Sequence, residues 1–375
     1  MPSCPTPPAD TSPTRHERLL EALAAVPDPR DPRGVRYPLA GVLALAVTAT
    51  VAGCRSFAAI GQWAAETAAG TLALFGLFSG SAPDESTLRK LFARLDADAL
   101  DRALGVWMWT RTFIVDARRV IALDGKTIRG ALIRPDGKAP HLIAAFDHGA
   151  GAVLGQVAVD TKSNEIPAAR TLLGHLDLDG AVVTLDALHT QTDTAEAITG
   201  AGGDYVFTVK ANMPTLHREL KKLPWKDMPA HTATTTDRGR RVTRTIKVAD
   251  VPDWIEFPGA AQVAQLRRTV TVKGAKTVEV VYLITSASNT DAPPRRLAAW
   301  VQNHWGIENR LHWVRDVTFD EDRSQIRTGQ APRVMATCRN FAISILRIHG
   351  WTNIAAGLRH HARHPDHALT LVLTS

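Results

Sequence analysis

"VVTLDALHTQ", residues 182–191, carries four uncharged residues, Val182 to Leu185, straight into a carboxylate at Asp186. The same arrangement stands upstream in "RVIALDGKTIRG", residues 119–130, where Val120 to Leu123 lead into Asp124. A single aspartate after a strand is ordinarily a helix cap or a turn residue. Two strands that each finish on one predict two carboxylates brought together.

Working outward, the segments "RVIALDG", "HLIAAFD" and "AVLGQVAV" read as three strands that form a meander. They are followed by a helical "EIPAARTLLGHL", the strand "AVVTLDA", a helical "TDTAEAITGAG" and the strand "DYVFTVKA". A meander followed by strand–helix–strand alternation gives an α/β fold with a mixed sheet and helices on its faces. That is the order of a ribonuclease-H-like sheet. Its first strand lies beside the fourth, so Asp124 and Asp186 become neighbours.

The expected organisation is a disordered leader over 1–17 and an all-helical N-terminal domain over 18–117 for DNA binding or association. The mixed-sheet domain spans 118–223 and 287–350, a β-rich insertion spans 224–286, and a tail spans 351–375. In the N-terminal part, apolar residues recur at three and four, and Asp84 and Ser86 are candidate N-caps. Its basic residues leave a helix-turn-helix and a plain bundle both open.

The 18 uncharged residues from Tyr37 to Cys54 sit at the lower edge of a membrane span, but Pro38, two glycines and two threonines favour a buried helix. The leader is rich in Pro, Ser and Thr and has no apolar core of a signal peptide, so export is not expected. Three cysteines far apart, without a CxxC pair, indicate neither a disulfide framework nor a zinc ribbon. "HHARHPDH" in the tail likewise lacks a cysteine and reads as exposed histidines. Hydrophobic residues make up 45% of the 375, enough for a sizeable core. Forty-four Lys and Arg against 37 Asp and Glu give +7, which favours a polyanionic partner such as nucleic acid over a membrane.

Two carboxylates at a sheet edge need a third hard oxygen ligand to hold a divalent cation. Glu308, in "NHWGIENRLHWVRDVTFDED", is the candidate, with Trp305 and His312 three and four residues away on one helical face. Lys126 and Arg129 leave the sheet beside Asp124, and Lys210 and Asn212 end the strand next to that of Asp186, so all four are candidate DNA contacts. The run Arg238, Arg240, Arg241, Arg244 and Lys247 contains no acid and reads as phosphate tracking, with a solvated strand face as the alternative. Trp305 and Trp313 fit either a core or a base-stacking role.

The segments "ALDGKTIRGA", "VAVDTKSNEIPAARTLL", "VVTLDALHTQ", "DYVFTVKANMPTL" and "HWGIENRLHWVRDVTFDED", in that order, resemble the H-repeat-associated family of bacterial insertion-sequence transposases, within the DDE superfamily. The resemblance runs from about Leu20 to Ile348. It implies that Asp124, Asp186 and Glu308 are the catalytic, metal-holding carboxylates, each in family surroundings: "LDGKT", "LDAxxTQ" and "HWxIEN". Where the wider superfamily has a Tyr, Arg, Glu, Lys signature, this chain has Val301, His304, Glu308 and Arg315, which leaves His304 and Arg315 as expected contacts to the element's ends.

The activity implied is phosphoryl transfer on double-stranded DNA, at transposon inverted-repeat ends and target DNA. It would use Mg²⁺, with Mn²⁺ able to substitute, and a homodimer on DNA in the bacterial cytoplasm near the nucleoid. Two other readings are a repurposed or inactive DNA-binding protein and a structure-specific nuclease of the same fold.

Overall fold

A computed structural model describes residues 15–78, 81–112, 118–132, 139–160 and 164–374. The chain divides into two compact units, one built from residues 1–107 and 328–375, the other from 108–327.

The first unit opens with helices α1 (Arg15–Ala24), α2 (Leu39–Val51), α3 (Phe57–Glu66), α4 (Ala69–Leu74), α5 (Glu85–Arg94) and α6 (Ala97–Trp109). Residues 1–14 of the expected leader lie outside the described residues, and α1 begins at Arg15, inside it. The apolar stretch becomes α2, with every residue from Gly41 to Val51 buried. Its threonines are satisfied within the helix, Thr48 Oγ1 donating to Ala44 O and Thr50 Oγ1 to Ala46 O at 2.8 Å each, so neither hydroxyl is left unpaired in the core. No described helix is long and apolar enough to cross a membrane. Asp84 caps α5 through Thr87 N at 2.7 Å, while Ser86 lies inside the helix and donates to Asp84.

The second unit is a nine-stranded sheet. Strands β1 (Val120–Thr127), β2 (His141–Asp147) and β3 (Val153–Ala158) form the meander. Helix α7 (Glu165–Leu173), β4 (Val182–Leu185), helix α8 (Thr192–Gly200) and β5 (Asp204–Val209) supply the alternation. After α9 (Pro214–Lys222) come β6 (Ala230–Asp237), β7 (Arg240–Asp250), β8 (Gln262–Val272) and β9 (Ala275–Thr285), and then α10 (Pro294–His304). The strand order is β3-β2-β1-β4-β5-β9-β8-β7-β6. Its first five strands have the ribonuclease-H-like arrangement, with β1 and β4 parallel neighbours.

Two details differ from the sequence reading. The β-rich segment is no separate body: β9 pairs antiparallel with β5 from Val206↔Thr285 to Val209↔Tyr282, so the insertion continues the same sheet. And β1 does not finish at Asp124; it runs on to Thr127 because it keeps its antiparallel partner β2 through Thr127↔His141, while β4 ends at Leu185.

One apolar cluster packs under α7 and α8 around Ile121, Val183, Tyr205 and Phe207. A second, on the α10 side, gathers Val120, Val182, Val206, Leu283, Leu297 and Trp300. The alternate positions that point toward α10 thus set the side on which Asp124 and Asp186 emerge.

Helix α11 (Ala331–Ile348) corrects the expected boundary at 350. It belongs to the first unit, where Thr337 Oγ1 donates to Asp101 Oδ1 at 2.6 Å and sixteen residues from Ala331 to Leu346 are buried. It is followed by α12 (Ile354–Arg363) and α13 (Pro365–Leu373), so the described tail is helical.

Gly41 tests the packing of the first unit. A Cβ there would lie 2.0 Å from the Phe75 carbonyl oxygen, a backbone atom. Gly41→Ala gains about 1 kcal/mol of helix propensity but overpacks a filled site at a cost of about 1–3 kcal/mol or more. The clash should win, and urea denaturation should show a lower midpoint than wild type.

Candidate active site

The β1–β4 ladder pairs Val120↔Val182, Ile121↔Val183 and Ala122↔Thr184. Two residues beyond the last pair stand Asp124, still within β1, and Asp186, just past the end of β4 with its backbone extended. Both line a cleft of about 650 Å³ together with Thr184, Lys210, Arg244, Arg268, His304, Trp305 and Glu308. The side chain of Asp124 is one-third exposed and that of Glu308 58% exposed, so both carboxylates are open to solvent or ligand.

Glu308 arrives from beyond α10, on a segment wound in wider, π-type turns over Glu308–His312 and Val314–Thr318. Such turns concentrate at functional sites. The i+4 partner of Glu308 is His312, nearly fully buried. Its Nδ1 lies 3.2 Å from Glu308 Oε2 and 3.3 Å from Asp124 Oδ2. The three ligand atoms fall within 4.8 Å of one another. Burial works against a charge on His312, but the hydrogen bonds to Asp124 and Glu308 outweigh it and raise its pKa above the ordinary value. The hydrogen bond from His312 in turn lowers the pKa of Glu308.

Asp186 lies in the cleft but outside that trio. It caps the turn after β4, its Oδ1 accepting from Leu188 N at 2.9 Å. Asn212, exposed, donates to Ala187 O and braces the same turn. His304 Nδ1 sits 3.0 Å from Thr184 Oγ1. Burial lowers the pKa of His304, opposed by the charges of Asp124 and Asp186.

Next to Asp124, a Cβ on Gly125 would meet His141 Nε2 at 2.6 Å and the Glu165 carboxyl at 2.8 Å. The glycine of "LDGKT" therefore admits a His141–Glu165 pair joined at 2.7 Å behind the site. His141 and His189 together pull the Glu165 pKa down to about 2.

The expected DNA contacts sort by exposure. Arg129 and Lys210 are exposed, and Trp305 is 64% exposed in the cleft. In the basic run, Arg238 sits in the exposed turn between β6 and β7, and the strand's alternation then divides its members. Arg240 and Arg244 share one face and Arg241 and Lys247 the other. Arg244 is on the cleft side, directly opposite Arg268 of β8, a residue the sequence reading missed although it follows the same alternation. Burial first, then the charges of Arg268 and Arg240, lower the pKa of Arg244. Lys247 Nζ donates to Trp225 O and Lys226 O.

Two contacts are corrected. Lys126 is 8% exposed and forms an ion pair with Asp316, tying the π-type segment to β1 rather than facing a ligand. Arg315 is wholly buried; its Nε donates to Glu321 Oε2 at 2.9 Å, its Nη2 to Glu321 Oε1 at 3.1 Å and its Nη1 to Gln156 Oε1 at 3.3 Å. It has no path to a DNA phosphate in this structure. In the sequence His312 stands out only as a neighbour of Glu308 on one helical face, and its spacing of four residues is the signal that it reaches the acid.

Two acids thus stand at matching heights beside adjacent parallel strands, and a third, from the helical segment after α10, lines the same cleft. Residues 116–345 match the family described as "Transposase DDE domain", and residues 20–108 match its companion described as "DDE_Tnp_1-associated". In Escherichia coli K12, "Putative protein YbfL" is 34% identical over 346 residues, covering 88% of this chain and 90% of the relative. "H repeat-associated putative transposase YhhI" of the same strain is 33% identical with the same coverage. Among solved structures, the piggyBac transposase synaptic complex with hairpin DNA aligns over 96% of this chain and 78% of its own, at 12% identity and a TM-score of 0.40. The chain belongs to the H repeat-associated group of DDE transposases.

The burial of Arg315 separates a structural from a DNA-binding role. Arg315→Met removes the bidentate partner of the buried Glu321 carboxylate, and breaking a buried pair in this way costs about 3–5 kcal/mol. Chemical denaturation should show that loss, while the salt dependence of DNA binding by the folded protein should match wild type.

Proposed function

We propose that the chain cuts phosphodiester bonds at the inverted-repeat ends of its element and joins the freed 3′ ends to target DNA, with Asp124, Asp186 and Glu308 holding Mg²⁺. The observation that carries this reading is the cluster itself: Asp124 and Glu308 meet around one buried proton donor, His312, with Asp186 at the matching height of the next strand. The donor set fits the ion, since carboxylate oxygens are what Mg²⁺ takes, and Mn²⁺ shares that preference. His312 Nδ1 lies between two carboxylates that would otherwise repel, in a place where a cation would also be held.

Bound there, a pair of divalent ions would activate the attacking oxygen and stabilise the leaving one. The chain's own residues position the reactants. Lys126 fixes the segment carrying Glu308 through Asp316, and Asn212 holds the turn that presents Asp186. Lys210, Arg244 and Arg268 line the cleft as phosphate partners, and Trp305 offers an exposed ring at its rim. No covalent protein nucleophile is needed. The expected substrate is duplex DNA, held by two copies of the chain on paired ends.

Asp124→Asn and Glu308→Gln should each keep duplex binding in a gel-shift assay. Losing an outer partner of a metal ligand costs up to about a hundredfold in activity, so losing a ligand itself should lower Mg²⁺-dependent cleavage by at least that much. Full cleavage in either variant would show that the wrong acid has been assigned. Wild-type cleavage without joining would favour the nuclease reading, and binding without any cleavage the repurposed one.

The division of the basic run gives a second test. Each phosphate partner contributes about 0.9 to the slope of log K against log salt. Arg244→Ala with Arg268→Ala should flatten that slope by nearly two units. Arg241→Ala, on the opposite face, should change it by less than about half a unit. Equal effects from both faces would show that the cleft does not set the path of the DNA.

A further inference from the structure

The C-terminal helices carry a cluster that the transposase site does not use. Helix α12 ends at Arg363, Pro365 opens α13, and His364 is the joint between them, with a non-helical backbone of φ −130° and ψ 73°. His360 lies one turn before the joint and His367 one short turn after it. The break in the helix folds the three rings onto one another. Ring centres are 4.8 Å apart for His360 and His364, 5.0 Å for His364 and His367, and 5.1 Å for His360 and His367. His360 Nε2 and His367 Nδ1 are joined by a hydrogen bond of 2.9 Å, the donor being set by the tautomers. Trp351 walls one side, 5.1 Å from His360. His361 is no part of the triangle: it is buried and its Nδ1 is turned to Gly357 O at 2.8 Å.

We propose that His360, His364 and His367 form a zinc site that staples α12 to α13. A tetrahedral Zn²⁺ with nitrogens at about 2.0–2.1 Å places the centres of its imidazole rings about 5 Å apart, which is the triangle already present. Among the described residues, ligand atoms gather within 4.8 Å of one another only around Asp124, Glu308 and His312, so the nitrogens of this histidine triangle do not yet converge and binding asks for ring rotation. His364 and His367 are exposed, so solvent and not packed core surrounds that rotation, which exchanges the His360–His367 hydrogen bond for metal ligation. An all-imidazole set selects a cation of the zinc class and not Mg²⁺, whereas the carboxylates around Asp124 have the opposite preference. Water would complete the fourth position.

The test uses full-length, chelator-treated protein carrying Asp124→Asn and Glu308→Gln, which removes zinc binding by the carboxylate cluster. Calorimetric titration with Zn²⁺ should show one equivalent bound, and Co²⁺ should give the visible absorption of a four-coordinate site. In that background, His364→Gln and His367→Gln should each weaken zinc binding by at least about tenfold. Zinc should raise the melting temperature of the parent and not of either variant. Matching circular dichroism without metal would show that the variants still fold, and millimolar Mg²⁺ alone should leave the melting temperature unchanged. Failure of the parent to bind zinc, or undiminished binding in both histidine variants, would overturn the proposal.

Discussion

The parallel pairing of β1 with β4 is the constraint on which the rest of the catalytic unit depends. Three register pairs, ending at Ala122↔Thr184, bring two acids sixty-two positions apart in the chain to the same level of one face. Side chains alternate along a strand, so slipping the register by one residue would send one acid to the face that packs against α7 and α8. The apolar residues preceding each acid prevent this, because Val120 and Val182 belong under α10 while Ile121 and Val183 belong to the opposite cluster. The same alternation that buries the strands therefore aims the carboxylates.

Glu308 is not carried on the sheet and must be tied to it. Buried charge does this work. Arg315 and Glu321 form a bidentate pair, and Gln156 of β3 accepts from the same guanidinium. Lys126 of β1 grips Asp316, and Arg310 donates to His148 O at 2.9 Å. A buried ion pair adds little net stability over an apolar contact of similar shape, yet breaking one partner is costly. Such a set tolerates few alternative seatings of the segment, which keeps Glu308 and His312 beside Asp124.

The sheet and its acids were legible in the sequence because they depend on local pattern: apolar runs with period two, each ending on a carboxylate. The merging of the insertion with the sheet was not, since the β5–β9 pairing joins residues about eighty apart and nothing local in "DYVFTVKA" announces its partner. Helix α11 reads as amphipathic wherever it docks, so the sequence between 331 and 348 does not reveal that Thr337 meets Asp101. Lys126 and Arg315 look like free cations because the acids that hold them, Asp316 and Glu321, are paired with them only in three dimensions. The face of each residue in the basic run could be read from alternation alone, but which face met the cleft could not.

From β1 to β7 the sheet takes five steps, through β4, β5, β9 and β8. Neighbouring strands twist by about 20–25° in a constant sense, so strand direction turns by roughly 100–125° between Asp124 and Arg244. Residues along the face of a sheet twisted in this way follow a spiral and not a straight row. An anion that kept its charges in line could satisfy only a short part of it, whereas a backbone that itself winds can stay in register with the whole. The handedness of L-amino acids, expressed as sheet twist, thereby becomes a shape preference at the surface.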